Sequence, residues 1–240
     1  MSAIHEHTNN TITANRPFFI ENKFLEGMNL SSTDIKPEEF DFLVKKALEL
    51  EAIDAKIIPT YNVFVEKRVV LKCRGCIGYG KKLTCPPHVP TVDEFREILK
   101  EYSYAMLVKF RSPAVADEEI AKAPYKTWLD PAEPEETRKK AAKFWEEYFD
   151  YSKKMASAML ELEKVAFNEG FTFAVAFVNG SCRLCEKCNV EKGICIHSNM
   201  ARIPEHAVGI NMKKTAAESG MPLEFPIKGQ PEPMSILLID

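Results

Sequence analysis

The chain has 240 residues, 45% hydrophobic and 28% charged, with a formal net charge of −3 and a pI near 6.0. These values fit a globular protein of one large or two small domains, and fifteen phenylalanines supply core material without help from metal. They exclude the basic footprint of a nucleic-acid binder, residues 171–178 are the longest apolar run and too short to span a bilayer, and residues 1–19 lack the apolar core of a signal peptide. The expected setting is therefore cytoplasmic and reducing, with neither nucleic acid nor membrane as a partner.

Residues 1–16 are polar, Asn- and Thr-rich and without period, so 1–35 read as a flexible tail and lead-in. The pattern over 37–52 predicts an amphipathic helix with Pro37 and two acidic residues in its first turn. Residues 57–72 hold β-branched and aromatic side chains interrupted by Pro59, and predict one or two strands. Thr91 followed by Glu94 is a capping box that starts a helix over 91–102. A buried strand is predicted at 104–110, then a connection at 111–134 carrying Pro113, Pro124, Pro131 and Pro134.

A long helix follows at about 135–169. Ala141, Trp145, Tyr148, Ser152, Met155, Met159, Leu162 and Ala166 form its stripe, which reads as a core-packing face, and Gly170 is the expected stop. Glu133, Glu135 and Glu136 at its start are simplest as partners of the helix dipole. Residues 171–178 predict a strand, 212–220 a short helix ended by Gly220, and 235–240 a last strand. Alternating strands and helices favour an α/β layered domain over 36–240, with α+β as the neighbouring option.

All seven cysteines fall into two short groups, Cys73, Cys76 and Cys85, and Cys182, Cys185, Cys188 and Cys195. Cysteines used as small core hydrophobes would be scattered, so clustering at short spacings points to thiolates gathered around metal. An odd count in a reducing compartment argues against a disulfide framework.

The second group runs C-x2-C-x2-C with a fourth cysteine seven residues on. Zinc commonly takes two separated C-x2-C pairs. Three thiols at consecutive x2 spacings suit the separate corners of a four-iron four-sulfur cubane, as in the bacterial ferredoxin run. Zinc and a metal-free structural role are the alternatives. Arg183, Lys187 and Lys192 would offset the thiolate charge, and Gly180 and Gly193 would let N–H groups approach sulfur. His197 would orient or replace a ligand, or be structural.

The first group is C-x2-C with Cys85 nine residues later, and Gly78 and Gly80 permit a tight loop between. A thioredoxin-like dithiol would need a helix starting at Cys73, which the sequence IGYGKK does not favour. Three options stand: a cluster with one iron open to solvent or substrate, His88 as fourth ligand, or a zinc site of three cysteines and one histidine. The bland alternative for His88 is that it caps the loop. Both cysteine groups are expected at the ends of strands. His5, His7 and His206 lie outside them, and no dinucleotide, Walker, hydrolase or zincin motif is present.

Across LKCRGCIGYGKKLTCPPHVPT, the following EFREILKEYSYAMLV, and GSCRLCEKCNVEKGICIHSNMARIPEHAVGINMKKTAAESG, the chain resembles the predicted metal-binding family called domain of unknown function 2284. The resemblance runs from about Phe40 to the C-terminus. It implies metal binding and no substrate, and the family's occurrence in anaerobic archaea and bacteria suits oxygen-sensitive clusters. The family's second motif usually ends Cys-Arg-His-Pro; here it is Cys195-Ile196-His197-Ser198, which keeps the cysteine and histidine and puts a role for the arginine in doubt.

Three functions follow. One is an iron–sulfur protein that passes electrons to or from a redox partner. Another is an enzyme that presents an open iron of the three-cysteine cluster to a small molecule, with electrons supplied by the other cluster. The third is a zinc-stabilised interaction module. A homodimer whose partner chain completes the first site is compatible with each.

Overall fold

The computed structural model describes residues 37–122 and 127–239. The tail expected at 1–35, with His5 and His7, lies outside the described residues. A single 3-10 turn at Pro37–Phe40 leads into α1 (Asp41–Glu49). Phe40, Leu43 and Ala47 are buried at helical spacing, as the amphipathic pattern requires.

Four strands form one sheet: β1 (Asp54–Pro59), β2 (Tyr104–Lys109), β3 (Val175–Phe177) and β4 (Met234–Ile239). Their order is β1-β2-β4-β3 and every pair is antiparallel. The last strand in sequence is thus central in space, and all six of its residues are buried.

Strand periodicity divides the core into two. On one face Met106, Val108, Leu237 and Ile239 pack against α1 and against Met155, Met159, Leu162 and Ala166 of α5 (Glu135–Asn168). On the other, Ala105, Leu107, Ile236 and Leu238 meet Phe95 and Leu99 of α3 (Val92–Leu99), and Met212 and Ala216 of α6 (Met212–Glu218). A sheet covered by helices on both faces needs near-continuous apolar strands, which is what MSILLI and YAMLVK supply. The result is a mixed, layered domain of six α-helices and an antiparallel sheet among the described residues, on the α+β side of the expected class. The remaining helices are α2 (Lys67–Arg74) and α4 (Glu118–Lys122).

Local signals act as their chemistry dictates. Thr91 and Glu94 form the capping box of α3. At the end of α5, Gly170 takes φ +99° and Phe171 N–H donates to the Ala166 carbonyl at 3.0 Å, which returns the chain beneath the helix. The Phe171 ring then packs against Phe40 and Phe42 at the start of α1, on the same face of the sheet.

Two expected strands change. Residues 57–72 yield only the end of β1, then a 3-10 turn at Thr60–Asn62 and the helix α2. In α2, Val69 and Val70 are half-buried and Cys73 is buried, while residues 67, 68, 71 and 72 are exposed. That three-to-four spacing outweighs the β-branched composition. Of 171–178, only Val175–Phe177 is strand. It pairs on one side with β4 alone, and Phe173 remains solvent-exposed.

Candidate metal centre

The first cysteine group begins on a helix, not after a strand. Cys73 lies in the last turn of α2 and faces inward, and Gly75 ends the helix. A series of tight turns follows, with N–H groups of Cys76, Tyr79, Lys81, Cys85 and His88 donating to carbonyls of Cys73, Cys76, Gly78, Lys82 and Cys85 at 3.0–3.1 Å. Gly80 takes φ +67°, and its N–H reaches forward to the Pro86 carbonyl at 2.9 Å, which closes the loop.

Gly78 sits inside this loop. A Cβ there would lie 3.8 Å from the Cys76 sulfur and 3.7 Å from the Cys85 sulfur, so both thiols border one backbone point. The Gly78 N–H donates to Cys76 Sγ at 3.4 Å. Burial pushes the Cys85 thiol up to about 11; Lys82 opposes the rise, and Cys76 and Cys73 add to it. Burial also raises Cys73, with Cys76 as the second cause. Cys76 and Cys85 thus border the same point of backbone, and Cys73 lies within electrostatic reach of both. His88 occupies the turn after Cys85 with its side chain exposed. A helix ending at Cys73 presents its negative end to the thiol, the opposite of a thioredoxin-like arrangement.

The second group lies in the long loop after β3, and its ends are pinned. Val178 N–H donates to the Ile203 carbonyl at 3.2 Å, and Val178 forms a bridge with Pro204. Glu163 of α5 accepts from Arg202 through both carboxylate oxygens, and its Oε2 also accepts from Ala176 N–H at 2.8 Å. One half-buried carboxylate thus ties α5, β3 and the exit of the cysteine loop. Within the loop, the Cys185 thiol is raised first by desolvation, then by Cys182, Cys188 and Cys195, while Lys82 lowers it. The other three thiols of the loop therefore lie within electrostatic reach of Cys185.

The two loops also meet each other. Leu83 N–H donates to Cys188 Sγ at 3.5 Å, and Lys82 Nζ donates to the Cys182 carbonyl. Residues about one hundred positions apart are therefore in contact, and the two loops that meet carry all seven cysteines, each a free thiol. Among the described residues, no group of three or more His, Cys, Asp or Glu side chains is drawn close enough to hold a single metal ion.

Several expected roles move. Gly180 and Gly193 serve as turns with φ of +82° and +63°, and the Gly193 N–H goes to the Val190 carbonyl. The N–H groups found on sulfur belong to Gly78 and Leu83. Arg183 lies over the Phe149 ring, 3.5 Å from its centroid. Lys82 is the cation that acts on Cys85 and Cys185 alike. Its one sequence signal is its place three residues before Cys85, one turn away. His197 is half-buried, and its carbonyl accepts from Met200 and Ala201 N–H at 2.9 and 2.8 Å.

The donor set is soft thiolate throughout, and backbone N–H groups already point at two of the sulfurs. Both features fit zinc or an iron–sulfur cluster. No curated protein and no solved structure matches the chain. The family profile described as predicted metal-binding protein, domain of unknown function 2284, matches residues 56–239, and the chain belongs to that family.

Proposed function

We propose that the protein is a cytoplasmic iron–sulfur protein that passes electrons to or from a redox partner. In this reading Cys182, Cys185, Cys188 and Cys195 hold a four-iron four-sulfur cluster. Cys73, Cys76 and Cys85 hold a second centre, with His88 or an exogenous group as the fourth ligand. The observation that carries the reading is the contact between the loops, Leu83 N–H on Cys188 Sγ. Two clusters wired by one short peptide segment suit electron transfer better than two unrelated structural metals would. A bound cluster supplies one-electron transfer at a potential set by its charge, its N–H···S bonds and its exposure. The chain's own part is to hold the thiols, to donate N–H from Gly78 and Leu83, and to place the Lys82 charge between the two loops.

The enzyme reading draws support from a cleft of about 560 Å³ whose wall includes Cys185. That cleft lies at the four-cysteine loop, whereas the open iron was expected at the three-cysteine loop. A zinc-stabilised module remains the alternative that metal analysis separates. Protein purified without oxygen is expected to hold iron and acid-labile sulfide in equal amounts, about four to eight of each per chain. Stoichiometric zinc with no sulfide would overturn the proposal. Changing Cys188→Ser should remove one cluster signal in EPR and broaden or shift the other, because Leu83 joins the two loops.

A further inference from the structure

Residues 67–90, which span α2 and the three-cysteine loop, carry six cations, Lys67, Arg68, Lys72, Arg74, Lys81 and Lys82, and no Asp or Glu. The whole chain has a net charge of −3, so the other residues together carry −9. Positive charge is thus gathered at one cysteine loop of an otherwise acidic chain. Part of it is used inside the protein. Lys67 pairs with Asp93 at 2.6 Å, Arg68 pairs with Glu66, and Lys82 donates to the Cys182 carbonyl. Lys72, Arg74 and Lys81 are exposed and, among the described residues, have no carboxylate within ion-pair distance. The negative end of α2 favours Lys72 and Arg74 in its last turn, but an exposed cation there still presents its charge to solvent.

Two apolar side chains protrude among these cations, Leu71 at 69% and Ile77 at 66% exposure. Leu71 and Arg74 stand one turn apart on α2, and Ile77 follows the tight turn in which Cys76 N–H donates to the Cys73 carbonyl. Apolar side chains ringed by charge are the anatomy of a protein interface. Beside Ile77 is Cys76, the one thiol of its loop that is not buried. A membrane surface would need a longer cationic cluster or a spare apolar helix face, and the apolar side of α2 is spent on Val69, Val70 and Cys73, which turn inward. A single-stranded nucleic acid would need open rings for stacking, and the nearby Tyr79 ring lies under the Arg74 guanidinium, 5.3 Å from its centroid.

We propose that this surface docks a small acidic protein, whose carboxylates pair with Lys72, Arg74 and Lys81 and whose apolar centre covers Leu71 and Ile77. The partner's role as an electron carrier rests on the electron-transfer reading; the docking does not. The charge asymmetry orients the two molecules as they approach. A partner seated there lies against Cys76, the least covered thiol of the first centre.

The probe is a purified plant-type ferredoxin, a small acidic protein, titrated by calorimetry into the anaerobically purified full chain. Binding is expected at about 50 mM salt and should weaken roughly tenfold by about 500 mM. The triple variant Lys72→Glu/Arg74→Glu/Lys81→Glu is expected to weaken it at least about tenfold at low salt. Lys100→Glu/Lys139→Glu/Lys164→Glu makes the same change of net charge at exposed positions elsewhere and is expected to retain most of the binding. Circular dichroism and metal content check that both variants fold. Lys81→Glu alone, outside the helix, is expected to weaken binding about threefold and serves should the triple variant not fold. No binding by the parent, equal losses in the two triple variants, or tighter binding of phosphatidylserine vesicles or single-stranded DNA than of ferredoxin would each overturn the proposal. Iron, zinc and sulfide are measured on the same sample. A zinc-only chain that still binds ferredoxin would sink the electron-transfer reading and leave the docking surface standing; an iron–sulfur chain that ignores ferredoxin would do the reverse.

Discussion

Cys85 shows what burial asks of a metal ligand. Its free thiol is pushed up to about 11, so at neutral pH it carries a proton that metal must displace. Thiolate is the ligating form, so below that value each proton expelled makes apparent affinity rise about tenfold per pH unit. Metal uptake by apo-protein at the three-cysteine site should therefore strengthen from pH 6 to pH 9. The check is a chelator-competition titration at several pH values with the four-cysteine loop blocked by serine substitution; a flat profile would contradict it. Lys82 makes a second case. Its charge favours the thiolate at Cys85 and at Cys185, and by the same sign it should favour the reduced, more negative state of a bound cluster. Lys82→Met should lower the reduction potential by roughly 30–60 mV, about 1 kcal/mol for one electron. Protein-film voltammetry would measure it. The grouping of all seven cysteines was legible from spacing alone. Lys82 and the Leu83 N–H were not, because their partners lie in the other loop, about a hundred residues away.

At the scale of elements, a loop of about twenty residues can hold thiols in place only if its two ends are fixed. Glu163 on α5 provides this for the second loop by accepting from Ala176 N–H at the strand before it and from Arg202 after it. Glu163→Leu removes the acceptor and leaves a half-buried guanidinium without its partner. Charged hydrogen bonds of this kind contribute about 1.5–3 kcal/mol, and the partial exposure of both side chains favours the lower part of that range. The variant should lose about that much stability in chemical denaturation, and it should release metal to a chelator faster than the parent. Elements with a terminal signal were readable: the Thr91–Glu94 box opens α3, and Gly170 closes α5. Helix α2 was not. VEKRVVLK looks like strand by composition, and only counting Cys73 as an inward apolar position reveals the helical spacing. The first cysteine group, expected after a strand, therefore begins within the last turn of a helix, at its negative end.

At the scale of the molecule, the antiparallel order β1-β2-β4-β3 puts the chain's last strand in the middle of the sheet. Leu237 packs toward α1 and α5, and Leu238 toward α3 and α6, so β4 joins both halves of the core. Replacing Leu237 with Ala should cost about 2–5 kcal/mol. Deleting 234–240 should leave no cooperative thermal transition by circular dichroism; a folded truncated chain would show that the sheet does not depend on β4. The sequence alone displayed seven cysteines in two short groups and apolar strands alternating with helices, because spacing and periodicity are local properties written directly in the chain. The tertiary structure decided the rest. It fixed the antiparallel order of the strands, the meeting of the two cysteine loops through Lys82 and Leu83, and the cleft between α5 and Cys185. Each of these depends on which distant surfaces bury one another, and no short window of sequence contains both partners.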